Sequence, residues 1–152
     1  MLFLKSAVRP KTLSSATVFL MIACASHAGW ADVSSNSNEL VGTWTLTKVL
    51  DSSSIASIDD TEAAELVGKA LVIAPDKITV AGESCRKRPT FTRHYEDAAR
   101  YIRETAHARV GRLGIPTTVE AVELSCTEAL IKGYNKIVVY WKGFFFDAVK
   151  NE

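Results

Sequence analysis

Cysteine and histidine are the residues of this chain with the most specific chemistry. Two of its three cysteines, Cys85 and Cys126, flank one long amphipathic segment. A thiol can act as a nucleophile beside a base such as His94 or His107, bind a metal ion, or form a disulfide. The spacing disfavours the first two, because the chain has neither a Cys-x-x-Cys motif nor two histidines one helical turn apart. The sequence therefore predicts a Cys85–Cys126 disulfide and no metal site.

Motifs of catalytic sites are absent from the sequence. It contains no Gly-x-Ser-x-Gly, no His-Glu-x-x-His and no glycine-rich loop that would hold a phosphate. We interpret His107 as part of a solvated helix face, and His94 as a histidine of the basic segment. We therefore predict no catalytic residue, no cofactor and no enzymatic activity.

The first 31 residues have the order of an export signal, which is basic, then apolar, then small. Three basic residues precede an apolar run over 13–25, and small residues follow at Ser26 and Ala28. The run is too short for a membrane span, which needs about 20 apolar residues. We predict a signal peptide over 1–28, with cleavage possible as late as 31. Export would take the chain to an oxidising compartment, which favours the disulfide.

Cys24 offers a second processing route. Residues 21–24, Met-Ile-Ala-Cys, resemble a lipobox, in which Cys24 would carry the lipid. We expect a soluble periplasmic or secreted protein; the alternative is a protein anchored to the envelope through Cys24. A membrane is expected as a partner only in that second case.

The remaining chain is the length of one domain, with a flexible segment over 29–39 and a β-rich domain over 40–152. The chain has 18 Lys and Arg against 17 Asp and Glu, and three basic residues leave with the signal, so the mature charge is −2. That balance gives no reason to expect a nucleic-acid partner. Residues 86–112 nevertheless hold eight basic and three acidic residues. This segment is a basic face for an anionic partner, or simply a solvated helix and loop; its candidate residues are Arg86, Lys87, Arg88, Arg100 and Arg103.

Alternating apolar and polar residues predict a mainly β (α+β) domain of about seven strands. Helical periodicity predicts a short helix over 61–67 and one long helix at about 96–111, inserted mid-chain. Strands joined by short turns favour a small antiparallel meander barrel. The predicted strands are 40–50, 69–74, 77–81, 90–94, 117–125, 136–141 and 144–149.

Aromatic residues are concentrated at the start of the domain and near its C-terminus. Trp44, Tyr140, Trp141 and Phe145 are the candidates. They are either core residues that stabilise strand pairs or the lining of a pocket for an apolar ligand in the barrel mouth.

Gly42-Thr43-Trp44 resembles the Gly-x-Trp motif that opens the first strand of lipocalins and related calycin barrels. In those proteins the tryptophan closes one barrel end and packs against a basic residue near the last strand. The resemblance makes Trp44 that tryptophan and Lys142 or Lys150 its partner. Two features depart from the family. Its main helix follows the eighth strand, whereas the helix predicted here lies mid-chain, and this chain is short for eight full strands.

The resemblance and the aromatic C-terminus together predict a non-enzymatic, lipocalin-like envelope protein that binds a small or lipid-like apolar ligand. The alternative is a protein-interaction module, such as an inhibitor or immunity protein for an envelope enzyme or toxin. Three features support that alternative. The domain is small and is predicted to be crosslinked by a disulfide, the sequence has no catalytic motif, and its basic residues are concentrated in 86–112.

Overall fold

The computed structural model describes residues 37–152. The predicted signal peptide (1–28), the lipidation candidate Cys24 and residues 29–36 of the predicted flexible segment lie outside the described residues. Within 37–152, none of the helices combines the length and the apolar composition that crossing a bilayer requires.

The described chain is mainly β, as predicted, but it forms nine strands rather than about seven. The strands are β1 (Gly42–Ser52), β2 (Ala70–Ile73), β3 (Ile78–Val80), β4 (Glu83–Ser84), β5 (Arg93–Asp97), β6 (Thr118–Glu123), β7 (Glu128–Gly133), β8 (Lys136–Trp141) and β9 (Phe144–Lys150). The helices are α1 (Ser37–Leu40), α2 (Asp60–Glu65) and α3 (Ala98–Ala106), followed by a 3₁₀ turn at Val110–Arg112.

The two additional strands are β4 and β7. Strand β4 has only two residues, which is too short for a periodic pattern. Strand β7 is buried on both faces around Ala129 and Leu130, so its apolar residues are consecutive and do not alternate.

All nine strands belong to one antiparallel sheet in the order β4-β3-β2-β1-β9-β8-β7-β6-β5. Strands β4 and β5 are its edges, so hydrogen bonds do not close it into a barrel. The sheet is nevertheless rolled, as the disulfide shows. Cys85 lies just after the edge strand β4, and it is linked to Cys126 in the turn between β6 and β7, with Cα atoms 5.6 Å apart. Residues 85–92 join one edge to the other.

One face of the rolled sheet encloses the larger hydrophobic cluster. Seven strands contribute to it, and its members are almost completely buried. Along β8 and β9 the members of this cluster are alternate residues, as expected for side chains that point to opposite faces. The strand residues of this inner cluster are Trp44, Leu46, Leu71, Ile73, Ile78, Val80, Val122, Ala129, Ile137, Val139, Phe144, Phe146 and Ala148.

Helix α3 covers the opposite face of β6 to β9. Its buried residues Ala98, Ile102 and Ala106 are four residues apart, which places them on one side of the helix. They pack against a second cluster that includes Leu130, Phe145, Val119, Ala121 and Val138. The outer face of these four strands is therefore also covered, which explains why the C-terminal strands are apolar on both sides.

Helix α3 is shorter than the predicted 96–111. Asp97 caps its beginning, where its side chain accepts a hydrogen bond from the Arg100 amide at 2.9 Å. The helix ends at His107, which adopts a left-handed conformation with φ of 50°. The chain then turns through Val110–Arg112, so Leu113 reaches the same cluster from a separate element.

Two local features follow directly from the residues that form them. Lys142 and Gly143 form the two-residue turn between β8 and β9, and both have positive φ, as a tight hairpin requires. Asp59 caps α2: its side chain accepts from the Glu62 amide, and the Glu62 carboxylate accepts from the Asp59 amide.

Candidate functional site

The predicted Cys85–Cys126 disulfide is present and attaches the loop at 85–90 to the turn between β6 and β7. A second contact fixes the same loop, because the Ser125 hydroxyl donates to the Lys87 carbonyl at 3.0 Å. The loop is thus held beside the C-terminal half of α3.

A cleft of about 510 Å³ lies between this loop, α3 and the outer face of the sheet. Its volume is in the range of small-molecule sites. It is lined by Lys87, Arg88, Thr90, Ile102, Thr105, Ala106, Glu123, Ser125, Cys126, Thr127, Glu128, Leu130, Tyr140 and Phe145.

The apolar floor of the cleft comes from both layers. Ile102 of α3 and Leu130 and Phe145 of the sheet are buried members of the outer cluster. Tyr140 is the cross-strand partner of Phe145, and their ring centroids are 4.8 Å apart. Of these four side chains only Tyr140 is partly exposed, and the other three lie beneath it as the apolar base of the cleft.

The rim of the cleft carries two charges of each sign. Lys87 and Arg88 are exposed on the loop, while Glu123 and Glu128 are directly opposite each other on β6 and β7. Within residues 37–152, none of these four side chains forms an ion pair.

A chain of polar side chains leads to Glu128. The Tyr101 hydroxyl donates to the Glu128 carboxylate at 2.7 Å, and the Nε2 atom of His94 is 3.2 Å from the same hydroxyl oxygen. Because the hydroxyl has one proton and donates it to Glu128, Nε2 must be the donor to the tyrosine oxygen. Burial raises the pKa of Tyr101 well above its ordinary value, and the hydrogen bond to Glu128 raises it further. Tyr101 is therefore a neutral hydrogen-bond donor here.

The four predicted aromatic candidates separate onto two faces of the sheet. Tyr140 and Phe145 contribute to the cleft, whereas Trp44 and Trp141 do not. Trp44 is 2% exposed within the inner cluster, and Trp141 packs against that cluster. The alternation of side chains along β8 explains the division, since Tyr140 and Trp141 are neighbours in sequence and point in opposite directions.

The two lysines that the resemblance offers as partners of Trp44 lie over different tryptophans. The Lys150 ammonium is 5.6 Å from the Trp44 ring centroid, and the Lys142 ammonium is 5.9 Å from that of Trp141. Trp44 is also tied to α1, because its Nε1 donates to the Leu40 carbonyl at 2.9 Å.

The predicted basic face is divided in the same way. Lys87 and Arg88 line the cleft, and Arg86 is exposed outside its lining. Arg100, in the first turn of α3, forms an ion pair at 3.1 Å with Glu96, which is four residues earlier in the chain. Arg103 is exposed on α3 and forms no ion pair with the described part of the chain.

Sequence reasoning missed the acidic side of the cleft. Neither Glu123 nor Glu128 was among the predicted site residues, and Glu128 belongs to the unpredicted strand β7. Their spacing could have indicated the pairing, because Glu123 and Glu128 are symmetrical about the turn that contains Cys126. Glu120, on the same strand as Glu123, pairs with Arg93 at 2.6 Å, and its side chain is 18% exposed.

Two further clefts are more polar. One lies beside α2 and includes Ile58, Glu62 and Lys142; the other includes Asp51, His107 and Arg112. Neither they nor the first cleft are lined by a buried member of the inner cluster. In the described part of the chain, no three His, Cys, Asp or Glu side chains are grouped in a way that could hold a metal ion.

Comparisons with protein families, with curated proteins and with solved structures found no match to this chain. They leave the resemblance of Gly42-Thr43-Trp44 to lipocalins as a prediction.

Proposed function

We propose that this protein is a non-enzymatic, exported binding protein that holds a small, lipid-like ligand in the cleft beneath α3. One observation carries the proposal. Two groups of residues selected independently by sequence, the aromatic pair Tyr140 and Phe145 and the basic pair Lys87 and Arg88, line the same cleft. An apolar floor with a few polar groups at its rim is the usual composition of a small-molecule site.

The outer face is a better location than the barrel mouth that the lipocalin resemblance suggests. The residues of the inner cluster are at most 4% exposed, and the clefts described above lie outside it. Interiors packed to this degree leave little room for a ligand. The ligand would therefore bind against the sheet and not within it.

A lipocalin-like barrel is part of the proposal. The pairing of the first strand with the last, the rolled sheet around one cluster, and Lys150 over Trp44 support it. The loop at 85–92 and the disulfide would then complete the wall between β4 and β5, where hydrogen bonds do not.

Export is proposed on two grounds. The order of residues in 1–28 is that of a signal peptide, and a disulfide persists in oxidising compartments. The proposed location is the periplasm or the exterior, with attachment through Cys24 as the alternative.

The test fills the cleft from the helix side. Thr105 is exposed on α3 and lines the cleft, whereas its neighbour Glu104 is exposed outside the lining. Thr105→Trp should therefore abolish binding of the neutral dye N-phenylnaphthylamine, measured by its fluorescence increase, while Glu104→Trp should leave it intact. Thermal unfolding of both variants checks that they are folded.

Native mass spectrometry after incubation with a total lipid extract of the host envelope gives the second readout. The proposal predicts a small bound adduct that Thr105→Trp loses and Glu104→Trp retains. Absence of both an adduct and a dye response in the unaltered protein would rule the proposal out.

A protein partner is the second candidate, and Tyr95 favours it. Tyr95 is 71% exposed on β5, an edge strand whose free side can pair with a strand of another protein. Under this alternative, an envelope protein that co-purifies with the unaltered chain should be lost with Tyr95→Lys and retained with Thr105→Trp.

A further inference from the structure

The rim of the cleft contains charged groups of both signs, and none of them forms an ion pair within residues 37–152. We infer that the ligand carries an anionic group and a cationic group at one end of an apolar body, as a zwitterionic amphiphile does. This inference rests on the proposed function, since it concerns the same cleft.

The acidic half of the rim calls for a cation. Glu123 and Glu128 are Cα partners across β6 and β7, an arrangement in which like charges repel. Their described donors are neutral: the Tyr101 hydroxyl for Glu128, at 2.7 Å, and the Thr90 hydroxyl for Glu123, at 3.3 Å. Two negative charges therefore remain side by side, and a positive ligand group would relieve the repulsion.

The basic half calls for an anion. Lys87 and Arg88 are adjacent on a loop that the disulfide and the Ser125 hydroxyl hold in position. Neither side chain has an ion-pair partner in residues 37–152. Their positions are thus set by the backbone, while their charges stay available.

A ligand with one charge would meet repulsion in this cleft. An anionic amphiphile would gain Lys87 and Arg88 but would face Glu123 and Glu128, and a cationic one would have the reverse difficulty. A zwitterion can align with both halves. Its apolar body would lie on the floor formed by Ile102, which belongs to α3, and by the outer face of the sheet.

Four probes that share a decyl chain test the charge requirement. They are a decyl betaine, which is zwitterionic, decanoate, decyltrimethylammonium and the neutral decyl glucoside. Each is titrated calorimetrically into the unaltered protein below the concentration at which it forms micelles. The betaine should bind at least about tenfold more tightly than either singly charged probe, and added salt should reduce that advantage.

Two double variants separate the halves of the rim. Lys87→Met with Arg88→Met should weaken binding of the betaine and of decanoate and should strengthen binding of decyltrimethylammonium. Glu123→Gln with Glu128→Gln should weaken the betaine and decyltrimethylammonium and strengthen decanoate. Lys77→Met and Asp76→Asn, which change exposed charges in the turn between β2 and β3, should alter none of these affinities.

The possible results distinguish this inference from the proposed function. If decanoate, decyltrimethylammonium or the glucoside binds the unaltered protein as tightly as the betaine, the zwitterion inference is wrong and the binding function stands. If no decyl probe and no neutral dye binds, the proposed function itself fails.

Discussion

The Lys150 ammonium lies over the Trp44 ring, 5.6 Å from its centroid, and also donates to the Glu39 carbonyl at 2.6 Å. Through these contacts the last strand fixes the first strand and the short helix that precedes it. Gly42 makes the approach possible: a Cβ atom there would be 2.9 Å from Cε of Lys150, and its φ is +144°. In the Gly-x-Trp motif, the glycine thus leaves room for the Lys150 side chain, and the tryptophan ring contacts its ammonium group.

Lys150→Met should lower the free energy of unfolding by about 1–2 kcal/mol, because it keeps the aliphatic stem but removes the cation over the ring and the donor to Glu39. The measurement is urea unfolding at neutral pH. Lys136→Met, at an exposed position of β8 without an ion pair in the described residues, is the control and should change stability little. Equal effects of the two substitutions would show that the contact with Trp44 is not stabilising.

Gly143→Ala should destabilise the protein more than Gly82→Ala, although the two glycines have similar φ values of +94° and +88°. Both substitutions place alanine in a left-handed conformation, at a cost of about 1 kcal/mol. At Gly143 the added Cβ would also lie 2.4 Å from Cα of Ala56, whereas nothing is within 4 Å at Gly82. Since backbone must move, we expect a further ~1–3 kcal/mol at Gly143. Thermal unfolding of the two variants side by side measures the difference.

The local elements were predictable because short-range chemistry determines them. The turn at Lys142-Gly143 requires residues that accept positive φ, and the capping box at Asp59 and Glu62 is visible as a spacing of three. The strand β7 was not predictable, because a strand buried on both faces has no alternation. The end of α3 depends on His107 adopting a left-handed conformation, and nothing in the residues around His107 predicts that conformation.

The residues of the cleft were partly predictable, but their association was not. Lys87 and Arg88 were selected for charge, and Tyr140 and Phe145 for aromatic character. Their meeting depends on the disulfide, which carries the loop after β4 to the turn beyond β6. A sequence pattern predicts which face of the sheet a side chain points to. It does not predict how the sheet rolls, because that depends on all nine strands together.

Replacing both Cys85 and Cys126 with serine should lower the free energy of unfolding by roughly 4 kcal/mol, from the entropy that the crosslink removes from the unfolded chain. The two residues are 41 positions apart, so the closed loop is long. Urea unfolding with and without reductant measures the effect. The unaltered protein should become as unstable as the variant when reduced, and the variant should not respond. A variant as stable as the oxidised protein would contradict the prediction.

Tyr101→Phe should lower stability at neutral pH by about 1–3 kcal/mol, because the Glu128 carboxylate loses its hydroxyl donor in a half-buried position.

The same substitution should also change how stability depends on alkaline pH. Burial, and then the hydrogen bond to Glu128, raise the pKa of Tyr101 in the folded state. The folded protein therefore keeps this proton above about pH 10, where the unfolded chain releases it, so stability falls as the pH rises. Tyr101→Phe lacks this contribution, so its stability deficit should shrink between about pH 9 and about pH 11.

Tyr134→Phe, at a side chain that is 90% exposed, is the control and should follow the unaltered protein across the range. A deficit for Tyr101→Phe that stays constant with pH, in guanidinium unfolding curves, would show that the Tyr101 proton is not held by the folded state.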